Sequence, residues 1–211
     1  MKVNGNRFRR KRFQHFLGLI HRAAQSRQEV RILDIGGTRD YWVALQDMWS
    51  PYPISVTIVN MEGETGDDGP FRLRLGDACN LSEYADNSFD IVHSNSVIEH
   101  VGRWEQMKMM AAEVRRLAPV YYLQTPDFAF PVEPHFRTVG FHWLPEQARA
   151  ALIQRRGFGF RKKAASVEEA VTNIQSVNLL TKGQMKALFG DAVIFHERFL
   201  GLPKSLIAVR E

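Results

Sequence analysis

The N-terminal part of the chain carries one stripe of hydrophobic residues at helical spacing. In residues 12–24, apolar side chains recur every three or four positions, at Phe13, Phe16, Leu17, Ile20 and Ala24. This period predicts an amphipathic helix with a single buried face. We expect the helix to pack on the domain that follows it.

Short runs rich in β-branched residues come next, separated by segments with a helical pattern. The first run, residues 29–35, ends at Gly36 and Gly37, which is typical of a buried parallel strand that enters a turn. Further strands are predicted at residues 54–60, 71–75, 89–94, 120–124, 192–199 and 205–210, and helices at residues 41–48, 103–117, 145–156 and 181–189.

Strands that alternate with helices favour an α/β domain of the doubly wound kind. We expect a Rossmann-like, seven-stranded, mostly parallel sheet with helices on both faces. Ligands in such sheets bind beyond the carboxyl ends of the strands, at the point where the strand order reverses. The loops that follow the strands are therefore expected to carry the chemistry.

A length of 211 residues, of which 45% are hydrophobic, fits one globular domain. We divide the chain into a basic N-terminal arm with the amphipathic helix, residues 1–28, and a main domain, residues 29–211. A long segment rich in proline and aromatic residues follows the fifth predicted strand, and long loops in compact domains are often functional. We expect residues 126–180 to be a substrate-loop insertion.

Positive charge is concentrated at the N-terminus. The formal net charge is +5, and six cations lie in the first twelve residues: Lys2, Arg7, Arg9, Arg10, Lys11 and Arg12. Such a segment can contact a polyanion, whether a nucleic acid, an anionic lipid surface or an acidic glycan precursor. It can equally be a solvated arm or the start of a helix, and the sequence leaves both interpretations open.

Cysteine content and hydropathy indicate a cytoplasmic protein. Cys79 is the one cysteine in the chain, so no internal disulfide, cysteine zinc site or CxxC redox motif can form. No apolar run reaches the roughly 18 residues that span a bilayer, and Gln14 and His15 interrupt the most signal-like stretch, residues 13–20. The oligomeric state is not indicated by any of these features.

Five short motifs stand in order along the chain, each at the end of a predicted strand. They are ILDIGGT, VTIVNME, LRLGDACNL, SFDIVHSNSVIEHV and YYLQTP. The first joins a hydrophobic strand to a glycine turn, but Arg39 and Asp40 stand where the dinucleotide motif GxGxxG would need further glycine. The five together resemble the class I S-adenosylmethionine-dependent methyltransferases, in particular the type 11 group, over roughly residues 31–126.

The resemblance implies where the cofactor S-adenosylmethionine binds. Asp34, Gly36 and Gly37 correspond to the turn along the methionine part of the cofactor, although the carboxylate of Asp34 could simply cap the turn. The end of the second strand should meet the ribose. Alignment favours Asn60, but period-two alternation favours Glu62, whose carboxylate can accept two hydrogen bonds, unless it is a solvated loop acid.

Three further positions complete the implied cofactor site. Asp77 corresponds to the acid that accepts the adenine amino hydrogen, with the backbone of Ala78 beside the ring, although aspartate also suits an Asx turn. Ser94 and Asn95 follow the fourth strand and should face the transferred methyl group. His100 lies one helical turn later. It either takes part in the chemistry or is a structural residue that is hydrogen-bonded within the turn.

The segment after the fifth strand should meet the acceptor. It holds Glu133 and His135 among aromatic residues. These residue types are consistent with three roles: a general base for an oxygen or nitrogen nucleophile, a set of ligands for a divalent metal, or an anchor for the loop. The spacing alone specifies no metal.

The function indicated by the sequence is methyl transfer to an oxygen or nitrogen of a small-molecule or glycan-type acceptor. The missing third glycine and Asn60 leave open a catalytically inactive module that only binds the cofactor. The alternative from another functional class is a protein that binds or modifies nucleic acid. Cationic side chains can contact phosphates, and aromatic side chains can stack on bases.

Overall fold

The computed structural model describes residues 7–159 and 161–211, and Lys2 of the basic arm lies outside them. Eight strands form one sheet, in the order β3-β4-β2-β1-β5-β6-β10-β9, and two short strands form a separate hairpin. The strands are β1 Val30–Ile35, β2 Ile54–Asn60, β3 Gly66–Asp68, β4 Phe71–Leu75, β5 Ile91–Asn95, β6 Val120–Pro126, β7 Val132–Glu133, β8 Thr138–Val139, β9 Val193–Phe199 and β10 Leu202–Arg210.

Helices cover both faces of this sheet. They are α1 Arg7–Ala24, α2 Arg39–Val43, α3 Gln46–Trp49, α4 Trp104–Leu117, α5 Glu146–Arg155, α6 Val167–Gln175 and α7 Lys182–Leu188, with a 3₁₀ turn at Phe141–Trp143. Helices α4 and α7 contribute to one hydrophobic core, and α1, α2 and α3 contribute to the other. The doubly wound α/β fold is confirmed.

The sheet is parallel in its centre and antiparallel at both edges. Strands β4, β2, β1, β5 and β6 pair in parallel, while β10 and β9 close one edge and β3 closes the other. The order of strands reverses around β1, which lies between β2 and β5. This switch point places a ligand crevice at the carboxyl ends of β1 and β5.

Strand β3 was not predicted, and it raises the number of sheet strands from seven to eight. Its residues are exposed and acidic, so the hydrophobic alternation that marks a strand is absent. Asp67 instead pairs across to β4, where Arg74 and Arg72 lie 2.8 and 3.5 Å from its carboxylate. Charge pairing thus replaces apolar patterning at this edge.

The predicted amphipathic helix is present as α1, with Phe13, Phe16 and Ile20 buried. It begins earlier than predicted, so the cations from Arg9 to Arg12 belong to the helix instead of a detached arm. Arg10 forms a 2.6 Å ion pair with Asp47. No helix in the described part of the chain is both long and apolar enough to cross a membrane.

The insertion between β6 and β9 has a small core of its own. Helices α5 and α6 pack on the segment around Phe136, Phe141 and Phe158. Helix α6 was not predicted; it buries Ala170 and Ile174, and the hydroxyl of Ser166 caps its first turn. The insertion is therefore a folded layer that can hold side chains in fixed positions over the sheet edge.

Candidate active site

A cleft of about 540 Å³ opens where β1, β2 and β4 end. Four of the predicted cofactor-binding residues line it, and so does His100, which was predicted to be catalytic. The cofactor-binding residues in its wall are Gly36, Asn60, Asp77 and Ala78.

The glycine turn forms the inner wall of the cleft. Gly36 has a φ of +72°, and a Cβ atom there would lie 2.4 Å from Cγ2 of Val97. Both the backbone conformation and the space therefore require glycine. The side chain of Asn60 donates a 2.9 Å hydrogen bond to the carbonyl of Gly37, which ties the turn to the end of β2.

Asp34 supports this turn from below. Its buried carboxylate accepts hydrogen bonds of 2.7 Å from Nε1 of Trp42 and pairs at 2.7 Å with Nδ1 of His93. A Cβ atom on Gly37 would overlap Oδ2 of Asp34, at 1.7 Å. Both oxygens are thus engaged with side chains of the core, and the carboxylate packs directly beneath Gly37 of the turn.

Asp77 lies exposed on the rim of the cleft. Its Oδ1 atom accepts a 2.9 Å hydrogen bond from the amide of Cys79, which is the Asx turn weighed as an alternative role. The turn directs Ala78 into the cleft wall. The turn uses only Oδ1, and the adenine contact of Asp77 stays a prediction.

Five predicted cofactor residues are not among those that line the cleft: Asp34 and Gly37, described above, and Ser94, Asn95 and Glu62. Ser94 is fully buried and donates to the carbonyl of Ile35 at 3.1 Å. The side-chain oxygen of Asn95 accepts a 3.0 Å hydrogen bond from Arg12 of α1. Glu62 is exposed beyond the end of β2 at Asn60, so the alternation that placed it on the strand face is wrong.

The predicted catalytic residues lie together at one end of the cleft. The rings of His100 and His135 meet edge to face, with centroids 4.7 Å apart. Oε1 of Glu133 lies 2.7 Å from Nδ1 of His135, and its Oε2 accepts a hydrogen bond from the amide of Phe136. The insertion loop thus brings His135 to the rim of the cleft.

The environment of His100 favours its neutral form. Partial removal of the ring from water lowers the pKa of His100, and electrostatic interactions with His135 and Arg161 lower it further. The carbonyl of Ser176, 3.0 Å from Nδ1, opposes this shift without cancelling it. Its Nδ1 atom carries the proton in that contact, because a carbonyl can only accept.

Glu99 is a site residue that the sequence motif contained but that we assigned no role. It is fully buried; Oε2 accepts a 2.9 Å hydrogen bond from Thr125, and Oε1 has no partner in the described structure. Burial raises the pKa of Glu99 to about 7. Glu99, His100 and His135 offer ligand atoms that lie within 4.8 Å of one another.

A second cavity, of about 410 Å³, lies between α4 and the insertion. Glu133 lines it, together with the aromatic side chains of Trp104 and Phe128 and the guanidinium groups of Arg103 and Arg149. Nε of Arg149 is buried without a hydrogen-bond partner among the described residues. The cavity therefore combines apolar walls with positive charge.

Comparison with known proteins gives matches at two levels. Residues 52–119, about a third of the chain, match the family model described as a methyltransferase domain. Comparison with curated proteins gives no match.

Solved structures share the fold at low sequence identity. A protein of Pyrococcus horikoshii OT3 is 18% identical with a TM-score of 0.54, covering 99% of this chain and 93% of that one. The 1,6-didemethyltoxoflavin-N1-methyltransferase of Burkholderia thailandensis is 12% identical with a TM-score of 0.53, covering 94% and 76%.

Phosphoethanolamine N-methyltransferase 2 of Haemonchus contortus, solved in complex with S-adenosyl-L-methionine, is 16% identical with a TM-score of 0.50. The match covers 86% of this chain but only 38% of that enzyme. The structural matches show the fold, and the family model covers the segment from β2 to the start of β6. Over residues 52–119 the chain is therefore similar to the methyltransferase-domain family, and its fold is the one that these solved methyltransferases share.

Proposed function

We propose that this chain is an enzyme that transfers a methyl group from S-adenosylmethionine to an oxygen or nitrogen atom of a small-molecule or glycan-type acceptor. The observation that carries the proposal is the cleft at the ends of β1, β2 and β4, with a wall of backbone at Gly36. Side chains are excluded there, so a ligand can approach the backbone closely.

The residues of the cleft fit the parts of the cofactor. Gly36 and Gly37 would lie along the methionine part, and Asp77 with Ala78 would meet the adenine. Asn60 would meet the ribose, but its Nδ2 atom is committed to Gly37, so one side-chain oxygen remains to accept from two hydroxyls. Met61 and Met109 supply apolar contact on the outer side.

When bound, S-adenosylmethionine supplies an electrophilic methyl group on a sulfonium. The work left to the protein is to align the acceptor with that group and to exclude water. A hydroxyl acceptor must also lose its proton. Oε1 of Glu133 lies 2.7 Å from Nδ1 of His135 and orients the ring. The other ring nitrogen, Nε2, is then left to act as the base.

The second cavity supports an acceptor that carries negative charge. Arg149 lines it, and its Nε atom, which is buried without a hydrogen-bond partner among the described residues, favours an anionic ligand. Trp104 and Phe128 offer faces against which an apolar or sugar ring can pack. Glu133 lies in the wall of this cavity, beside the partner of the proposed base.

Calorimetric titration with S-adenosylmethionine tests the site. We expect the wild-type chain to bind and Gly36→Ala to lose most of the affinity, because the added Cβ atom meets Val97 at 2.4 Å on a left-handed backbone. Gly183→Ala in α7 is the matched control, since its Cβ atom would find only Thr181 at 3.9 Å. Wild-type affinity in Gly36→Ala would contradict the assignment of this cleft.

A further inference from the structure

We propose that Glu99, His100 and His135 form a binding site for one divalent transition-metal ion, with Zn²⁺ as the fitting probe. The three residues come from two parts of the chain. Glu99 and His100 lie between β5 and α4, and His135 lies between β7 and β8 of the insertion. Their ligand atoms lie within 4.8 Å of one another.

Each histidine is arranged as a metal ligand usually is. Nδ1 of His135 faces Oε1 of Glu133 at 2.7 Å, and Nδ1 of His100 faces the carbonyl oxygen of Ser176 at 3.0 Å. Metal-binding histidines commonly donate their other ring N–H to a carboxylate or a backbone carbonyl, which fixes the tautomer and the ring orientation. In both rings this leaves the lone pair of Nε2 for an ion.

Glu99 supplies the observation that is independent of the histidines. It is fully buried, and Thr125 satisfies Oε2 while Oε1 has no partner in the described part of the chain. A buried acceptor without a partner costs free energy, about 1–3 kcal/mol in general. An ion between Glu99 and the two histidines would satisfy that oxygen.

The donor set indicates the class of ion. Two imidazoles and one carboxylate suit Zn²⁺ and related transition metals, whereas Mg²⁺ and Ca²⁺ prefer oxygen ligands. Bonds of about 2.0–2.2 Å in tetrahedral geometry place ligand atoms roughly 3.3–3.5 Å apart. Because the three atoms lie within 4.8 Å of one another, binding would draw them inward by at most about 1.5 Å.

Three protein ligands leave a coordination position open, as in catalytic zinc sites. His100 is exposed and lines the cleft, so the open position lies at its edge. An ion there would lower the pKa of a bound hydroxyl, whose proton would leave to solvent, and His135 would then be a ligand instead of the base. Metal binding itself does not depend on methyl transfer, so the two proposals can fail separately.

The test uses the full-length chain after removal of metal with a chelator. Titration with ZnCl₂ by calorimetry should give one ion per chain, and titration with CoCl₂ should give the visible absorbance of a tetrahedral or five-coordinate site. Loss of a residue that only hydrogen-bonds a ligand weakens metal binding by roughly 10- to 100-fold. Loss of a ligand should weaken it by more, and this is the result that we expect for each of the variants His100→Gln, His135→Gln and Glu99→Gln. The loss of metal affinity in Glu133→Gln should fall within the roughly 10- to 100-fold range, because this variant keeps all three ligands.

Matched controls separate this site from adventitious binding. His21→Gln on α1 and Glu105→Gln on α4 change exposed residues of the same types and should leave the affinity unchanged. Thermal melting of each metal-free variant checks that it folds. If a histidine variant fails to fold, the comparison of Glu133→Gln with the isosteric Glu99→Gln still tests the proposal. Absence of stoichiometric binding, or equal affinity in all variants, would overturn the proposal.

Discussion

His135 of the insertion packs edge to face on His100 of the β5–α4 loop, with ring centroids 4.7 Å apart and planes at 87°. The contact joins two segments that are far apart in sequence. It places the Glu133–His135 pair beside the cleft that the β-strand loops form.

Replacing His135 with Gln should lower turnover by about 10² to 10⁴, the range for loss of a general base. Cofactor affinity should change little, because His135 does not line the cleft that we assign to the cofactor. Steady-state kinetics with calorimetry on the same preparations checks both. Turnover near the wild-type level would assign His135 a purely structural role as a loop anchor.

Replacing Asp77 with Ala should weaken S-adenosylmethionine binding by the value of one hydrogen bond, about 0.5–1.5 kcal/mol. The Asx turn at Cys79 would also be lost, so part of the effect acts through the shape of the rim. Asp68→Ala on the exposed strand β3 is the control. Equal dissociation constants for Asp77→Ala and wild type would refute the adenine contact.

Replacing Asp34 with Ala should destabilise the fold before it affects chemistry. The substitution leaves Nε1 of Trp42 and Nδ1 of His93 buried without their partner. Each unsatisfied buried group costs about 1–3 kcal/mol. Urea unfolding monitored by tryptophan fluorescence measures the loss, and an unchanged midpoint would show that the turn does not depend on Asp34.

Asp90 makes stability depend on pH in the acid range. Burial raises its pKa, but the amide and guanidinium of Arg31 and the charge of Arg27 outweigh burial and hold the pKa below the ordinary value. A depressed pKa adds stability above the unfolded-state pKa, and that stability is lost as pH falls through the folded-state value.

Asp90→Asn should therefore lower the free energy of unfolding near pH 7, and the difference from wild type should shrink as the pH falls into the acid range. Denaturant unfolding at several pH values measures this difference. Glu105→Gln on the surface of α4 should show no comparable trend. A difference that grows toward low pH would contradict the ion-pair account of Asp90.

Much of the fold followed from the sequence because its strands are buried and therefore hydrophobic. Residues 54–60 and 71–75 were predicted with the bounds that β2 and β4 have. Strand β3 was missed because it is held by ion pairs to Arg74 and Arg72, a pattern that hydropathy does not register. Element order was thus predictable wherever the core decides it.

The site was less predictable because side-chain direction depends on packing. Ser94 and Asn95 are the last residues of β5, yet Ser94 is buried and donates to the carbonyl of Ile35, while Asn95 accepts from Arg12 of α1. His93 was overlooked, although a polar residue in the middle of an apolar strand is the signal of a buried partner such as Asp34. A role for Glu99 could not be predicted from the sequence, because only the fold brings His135 close to it.

The most direct test of the central claim is release of S-adenosylhomocysteine from S-adenosylmethionine by the purified full chain, measured by mass spectrometry across a panel of hydroxyl and amine acceptors. The panel should include phosphorylated or carboxylated small molecules and sugars, since we propose that an anionic acceptor binds in the cavity that Arg149 lines. We expect acceptor-dependent product from wild type and from Gly183→Ala, and none above background from Gly36→Ala. Tight cofactor binding without product from any acceptor would indicate an inactive cofactor-binding module, and equal product from Gly36→Ala would contradict the account of the site.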